Sequence, residues 1–138
     1  MKKVIFSATV IFLTSCTPAT WELLQEENGL KVYTSWKELK KEEGSSKTPL
    51  RLNFRVDNNN AYAVTYDLGA EFFHDTKQVD LLPVSQYCAK AGKSYKGKLN
   101  GVYLEPKNID LQMLKDSVIS IEPEPLNVTQ VEICEKKK

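Results

Sequence analysis

Three cysteines carry the most definite chemistry in this 138-residue chain. A thiol can act as a nucleophile, ligate a metal or form half of a disulfide, and its surroundings help to decide among these roles. Cys16 ends the one strongly apolar run, whereas Cys88 and Cys134 lie in the more polar remainder of the sequence. Cys16 therefore needs a separate explanation from the other two.

The region before Cys16 has the order of a secretory signal. Two lysines, an apolar run over residues 4–13 and two small residues follow one another. A permanent transmembrane helix needs about 20 apolar residues, so this run is too short to be one. We expect residues 1–15 to be a cleaved signal peptide.

The residues Leu13-Thr14-Ser15-Cys16 resemble a bacterial lipobox. The resemblance implies that Cys16 becomes the first mature residue and carries diacylglycerol and an N-acyl chain, which anchor the protein to a membrane. Thr17 stands where aspartate would imply retention at the inner membrane, and no acidic run follows the cysteine. By the same resemblance, we expect an outer-membrane lipoprotein that faces the periplasm rather than the cell surface. An ordinary secretory peptide ending near a cysteine is the alternative.

Cys88 and Cys134 are an even pair in a chain that we expect to be exported. In an oxidising compartment such a pair predicts a disulfide, which would contribute on the order of 4 kcal/mol by closing a long loop. Two independent free thiols are the alternative.

The remaining candidates for chemistry lack partners. His74 is the only histidine and stands beside Asp75, but the further groups that a metal site or a catalytic triad needs are missing. A histidine at a strand end beside a turn is the favoured interpretation. We predict no catalytic residue, no metal and no cofactor, and thus a protein that is not an enzyme.

The charge balance bears on the class of partner. The chain has 19 basic and 18 acidic side chains, and removal of the leader takes away Lys2 and Lys3, which leaves a net charge of −1. A near-neutral domain offers no support for nucleic-acid binding.

The pattern of the mature chain is that of short strands. Leu50 to Val56 alternates apolar and polar residues, which is typical of a strand with one wet face. Asn28-Gly29 predicts a tight hairpin, with a helix over residues 21–27 as the alternative. Gly69 predicts a bulge, and Pro83 predicts an edge strand.

Further strands are predicted from Tyr95 to Leu104, from Val118 to Ile121 and from Asn127 to Cys134, while Asn108 to Asp116 fits a strand or a helical turn. About eight short strands separated by turns predict an all-β fold, a single small antiparallel β-sandwich. We place it at residues 21–138, after a short tether at 16–20. The order of strands loosely resembles immunoglobulin- or fibronectin-like sandwiches.

Together these features predict a lipid-anchored interaction or accessory subunit of a bacterial envelope assembly, with a protein partner. Lys90–Lys98 and Asp57–Asn60 are the predicted contact loops. A carbohydrate- or small-ligand-binding lipoprotein is the alternative, in which aromatic side chains are exposed platforms rather than core; the aromatics concerned are Trp21, Tyr33, Trp36, Tyr62, Tyr66 and Tyr103. Asp116-Ser117-Val118 resembles the O-glycosylation acceptor motif of Bacteroidetes, which makes Ser117 a conditional site.

Overall fold

The computed structural model describes residues 20–96 and 101–135. The predicted leader, Cys16 and residues 17–19 of the tether lie outside the described residues. The part that is described is nearly all strand and forms two antiparallel sheets, which confirms the predicted all-β sandwich. The elements are β1 Glu22–Glu27, β2 Leu30–Glu38, β3 Leu50–Asn58, β4 Ala63–His74, β5 Lys77–Ala89, β6 Ser94–Tyr95, β7 Tyr103–Leu104, α1 Leu111–Lys115, β8 Ile119–Pro123 and β9 Thr129–Val131.

The first sheet has the strand order β1-β2-β3-β6, and β7 also pairs with β3. β1 and β2 form the predicted hairpin, since Asn28 and Gly29 have φ angles of 44° and 80°, as the two central residues of a type I′ turn require. The alternative helix over residues 21–27 is wrong. Residues 21–27 include good helix formers, but pairing with β2 satisfies their backbone hydrogen bonds and brings Leu24 into the core.

The predicted strand from Tyr95 to Leu104 is two short strands in the structure. β6 pairs with the end of β3 at Val56 and Asp57, and β7 pairs with its middle at Leu52 and Asn53. Residues 97–100 between them, which include Gly97 and Lys98, lie outside the described part of the chain.

The second sheet has the order β5-β4-β8, and β9 pairs with the start of β4. The irregularity predicted at Gly69 is confirmed by a shift in the register of β4 against β5 between Leu68 and Ala70. Pro83 and Val84 oppose the single residue Gly69 there, so the extra residue of the bulge is on β5. The edge position predicted from Pro83 is also confirmed, because β5 pairs with β4 alone among the described strands.

The core lies between the inner faces of the two sheets. On β3, Leu50, Leu52, Phe54 and Val56 are buried, which confirms their predicted common face. Phe72 of β4 is also buried, and each such side chain stabilises the fold by roughly 1.5–3 kcal/mol.

Two connections close the ends of the sandwich. The ambiguous segment Asn108 to Asp116 contains α1, whose N-cap Asp110 accepts a hydrogen bond of 2.9 Å from the Met113 N–H and whose Leu114 is buried. After β8, the connection to β9 inserts Leu126 into the core. No helix among residues 20–96 and 101–135 is long and apolar enough to cross a membrane.

The predicted disulfide is present in the structure. Cys88 near the end of β5 is bonded to Cys134, and their Cα atoms are 5.6 Å apart. The bridge fastens the segment after β9 to the edge of the second sheet.

Candidate interaction surfaces

The predicted sites fall in different parts of the molecule. Cys16 lies outside the described residues. Ser117 is exposed in the turn after α1, with a φ of 54°, and it also borders the small cavity described below. Lys90, Lys93 and Lys96 are exposed near the end of β5, around the turn that leads to β6 in the other sheet.

His74 is the last residue of β4, and Asp75 begins the turn to β5. His74 pairs with Lys77 and Ile119 in the neighbouring strands, and the backbone N–H of Asp75 donates to the carbonyl of Val118. The histidine therefore lies at a strand end beside a turn, where the sequence pattern placed it. Residues 20–96 and 101–135 hold no group of three or more histidine, cysteine, aspartate or glutamate side chains able to bind a metal.

One residue of the predicted contact loop Asp57–Asn60 has a structural role. The Asn58 side chain is buried, and its Nδ2 donates to the carbonyls of Tyr62, Ala89 and Lys90 at 3.0–3.1 Å. Its Oδ1 accepts from both nitrogens of Asn60 at 3.0 Å. This amide therefore holds the turn onto the end of β5 rather than facing a partner.

The outer face of the first sheet carries a cluster that sequence reasoning missed. The Cζ atom of Arg55 lies 4.2 Å from the ring centre of Tyr33 and 5.3 Å from that of Trp21. Farther along β3, Arg51 lies 5.2 Å from the ring centre of Tyr103. We call these five residues the arginine–aromatic face.

Ion pairs complete the arginine–aromatic face. The Nη2 of Arg51 donates to Oε1 of Glu105 at 2.8 Å, and the Nη2 of Arg55 lies 3.3 Å from Oδ2 of Asp57. The Nε of Arg55 has no hydrogen-bond partner within the described structure. Cation–π contacts of this kind contribute about 0.5–2 kcal/mol each. The alternation of β3 was the one sequence signal for this cluster. It predicted that both arginines are on the solvent-facing side of the strand, but not which side chains contact them.

The aromatic residues thus divide between surface and core. Tyr66 is buried, and Trp36 on the inner face of β2 is partly buried against the core. Tyr62 and Tyr103 are 40% and 38% exposed. Trp21 and Tyr33 are half-buried, but they flank Arg55 on the outer face instead of entering the core.

The outer face of the second sheet is acidic. Glu71 of β4 lies directly opposite Glu122 of β8, and Asp67 lies four residues earlier on the same face of β4. Neither glutamate forms an ion pair with any described residue. Leu81 of β5 is opposite Glu71 and is 48% exposed.

Val84 completes this patch beside Leu81. It is 55% exposed, and its side chain lies over Gly69, since a Cβ built at Gly69 would be 2.7 Å from its Cγ2. We call Asp67, Glu71, Glu122, Leu81 and Val84 the acidic face. The free edge of β5 itself is partly covered, because Asn108 Nδ2 donates to the carbonyl of Val79 at 2.8 Å.

Two cavities are of different character. Between the sheets, a space of about 20 Å³ beside Trp36 has room for about one water molecule. Near the disulfide, an open groove of about 490 Å³ is bordered by Tyr62, Lys90, Gln130 and Ile133.

Two groups have raised pKa values. Partial burial raises the pKa of Glu22, which borders the small cavity. Burial, and then the neighbouring Tyr87 and Tyr95, raise the pKa of Tyr66 well above its ordinary value. In both cases burial removes water from the charged form and so favours the neutral one.

Comparison of the chain with models of protein families, with curated proteins and with solved structures finds no match.

Proposed function

We propose that this protein is a lipid-anchored, non-enzymatic interaction subunit of a bacterial envelope assembly. Acylated Cys16 holds it at the outer membrane, and the domain faces the periplasm. The lipobox Leu13-Thr14-Ser15-Cys16 supports the anchor. β1 begins only six residues after Cys16, so the domain stays close to the bilayer.

The observation that carries the interaction is the like-charged pair on the acidic face. Glu71 and Glu122 are directly opposite each other on adjacent strands, where two negative charges destabilise a sheet. Features that cost stability without a compensating contact in the same chain are expected at functional sites. Leu81 and Val84 add exposed apolar area beside these carboxylates. A partner with basic side chains around an apolar centre would neutralise the pair and cover both apolar residues.

The test is co-purification of the acylated full chain in mild detergent. The double variant Glu71→Lys with Glu122→Lys reverses the charge of the acidic face. Its matched control, Glu42→Lys with Glu43→Lys, makes the same change in charge on an exposed loop between β2 and β3. We expect one protein neighbour to co-purify with the parent chain and the control, and to be lost with the acidic-face variant.

Retention of that neighbour by the acidic-face variant would contradict the assignment of the surface. The absence of any stoichiometric neighbour from the parent chain would contradict the subunit role.

The anchor has a separate test by intact mass. Processed parent protein should begin at Cys16 and carry diacylglycerol and an acyl chain, while Cys16→Ser should carry neither. Equal masses for the two mature proteins, apart from the sulfur-to-oxygen change, would contradict lipidation.

The groove beside the disulfide supports carbohydrate or small-ligand binding as a second candidate. Tyr62 presents a partly exposed ring there, and Lys90, Gln130 and Glu132 offer polar groups for hydroxyls. Calorimetric titration with a panel of envelope glycans should show binding that Tyr62→Ala removes and Tyr103→Ala retains. No heat from any glycan would reject this candidate.

A further inference from the structure

The proposed anchor meets the domain on one particular side. Trp21 is five residues beyond Cys16, and that length of chain spans at most about 18 Å. The Trp21 ring lies 5.3 Å from the Cζ of Arg55, on the outer face of the first sheet. The arginine–aromatic face is therefore the surface nearest to the attached lipid.

The side chains of this face suit a layer of lipid headgroups. Tryptophan and tyrosine concentrate at membrane interfaces because each joins an apolar ring to a polar group. Trp21, Tyr33 and Tyr103 supply such rings here. Arg51 and Arg55 add two guanidinium groups to this face. Their side chains are 15% and 25% exposed and are paired with Glu105 and Asp57, so only the exposed N–H groups can reach phosphate.

Lysines extend the same face toward its margins. Lys31 is opposite Asp57 and Lys37 is opposite Arg51 in the pairing of β2 with β3, so both are on the outer side of the sheet. Lys37 is exposed. A basic side chain close to an anionic membrane surface contributes about 1 kcal/mol to attraction.

The opposite side of the sandwich has the reverse character. The acidic face holds Asp67, Glu71 and Glu122, and the glutamates have no ion-pair partner among the described residues. Packed sheets are about 10 Å apart, so the two outer faces point away from each other. With the first sheet toward anionic headgroups, these carboxylates stay as far from them as the domain allows.

We infer that the arginine–aromatic face lies on the phospholipid headgroups of the membrane that holds Cys16, with the acidic face directed away from that membrane. This orientation rests on the proposed lipid anchor. It leaves the acidic face accessible to a protein while the domain stays against the bilayer.

Tryptophan fluorescence can test the orientation because the chain contains two tryptophans on opposite faces of one sheet. Trp36→Phe leaves Trp21 as reporter of the outer face, and Trp21→Phe leaves Trp36 as reporter of the inner face. Each acylated full-length variant is placed in phosphatidylethanolamine–phosphatidylglycerol vesicles with a nitroxide on some headgroups. We expect Trp21 to lose most of its fluorescence and Trp36 to keep most of its own.

A charge variant provides a second arm. Lys31→Gln with Lys37→Gln should reduce the quenching of Trp21, because it weakens attraction to phosphatidylglycerol. The matched pair Lys90→Gln with Lys93→Gln removes equal charge from the loop beyond β5 and should leave the quenching unchanged. If both pairs reduced the quenching of Trp21 equally, the domain would be attracted to the membrane without a preferred face, and the inference would be overturned.

The outcomes separate this orientation from the anchor itself. Acylated protein that floats with vesicles but keeps Trp21 fluorescent overturns the orientation and leaves the anchor intact. Trp21 that responds to added envelope protein but not to vesicles assigns this face to a protein and also overturns it. A mass showing unmodified Cys16, with protein that does not float, overturns the anchor and the orientation together.

Discussion

Asn58 shows how one buried amide can hold three segments together. Its Nδ2 donates to carbonyls of the β3–β4 turn and of the end of β5, while its Oδ1 accepts from Asn60. At the sequence level, the Asp57–Asn60 run fits an ordinary turn or contact loop. The register of β3 determines which of three consecutive asparagines enters the core. Position 58 is two residues after the inward-facing Val56, so its side chain is on the same face of the strand.

Replacement of Asn58 by Ala should lower the free energy of unfolding by about 3 kcal/mol, because buried carbonyls lose their donor. Asn59→Ala is the control, since Asn59 is exposed and uses its backbone N–H to reach Gly29. Its effect should stay within about 0.5 kcal/mol. Urea denaturation of both variants measures the difference, and coincident midpoints would refute the role given to Asn58.

At the level of elements, β4 is the strand around which the second sheet is built. It pairs with β5 along one side and with β8 and β9 along the other. The irregularity at Gly69, opposite the extra residue of β5, was predictable because glycine inside an alternating pattern signals such a feature. The close packing of Val84 over that glycine was not, since it depends on a second strand of uncertain register.

Gly69→Ala should destabilise the protein by about 1–3 kcal/mol through overpacking. A Cβ at this position would be 2.9 Å from the Cα of Val84, and backbone cannot move aside as a side chain can. Val84→Ala alone should hardly change the free energy of unfolding. Combined with Gly69→Ala, it should recover only part of the stability that Gly69→Ala removes. Thermal unfolding of the three variants provides the measurement, and full recovery in the double variant would contradict a backbone clash.

The pairing of β4 with β8 carries a second prediction at this scale. Glu122→Gln removes the repulsion from Glu71 and should raise stability at neutral pH by about 0.2–1 kcal/mol. The gain should shrink in about 1 M salt, where the Debye length falls to about 3 Å and the repulsion is screened. Glu132→Gln, at an exposed position after β9, serves as the control in denaturant titrations at low and high salt. A gain that is equal at the two salt concentrations would exclude repulsion as its cause.

For the whole molecule, the disulfide and the distribution of charge are the organising features. The Cys88–Cys134 bond spans 46 residues of sequence and ties the last described segment to β5. Near-zero net charge in the composition conceals an arginine–aromatic face on one sheet and an acidic face on the other. Composition cannot show this polarity, since it arises from which strands share a sheet.

Loss of the disulfide should lower the free energy of unfolding by about 4 kcal/mol, because the unfolded chain regains the entropy of a long loop. The variant Cys88→Ala with Cys134→Ala and the reduced parent protein should have similar unfolding midpoints. Dithiothreitol should shift the midpoint of the parent and leave that of the variant in place. A parent midpoint insensitive to complete reduction would contradict the stabilising role of the bridge.

The class of fold and several local features can be predicted from the amino-acid sequence alone. These features follow from backbone rules that operate within a few residues. They are the turn at Asn28-Gly29, the alternation in β3, the irregularity at Gly69 and the edge position of β5. The Cys88–Cys134 pair was also predictable, because the two cysteines that remain after Cys16 are an even pair.

Features that depend on strand register and on sheet membership could be seen only in the folded protein. It showed that Arg55 lies between Trp21 and Tyr33, that Glu71 faces Glu122, and that Asn58 points inward. These contacts join residues far apart in the chain, and a shift of one residue in strand pairing would turn each side chain to the opposite face. Local pattern therefore predicts strands, whereas the surfaces on which the proposed function depends exist only once the strands are paired.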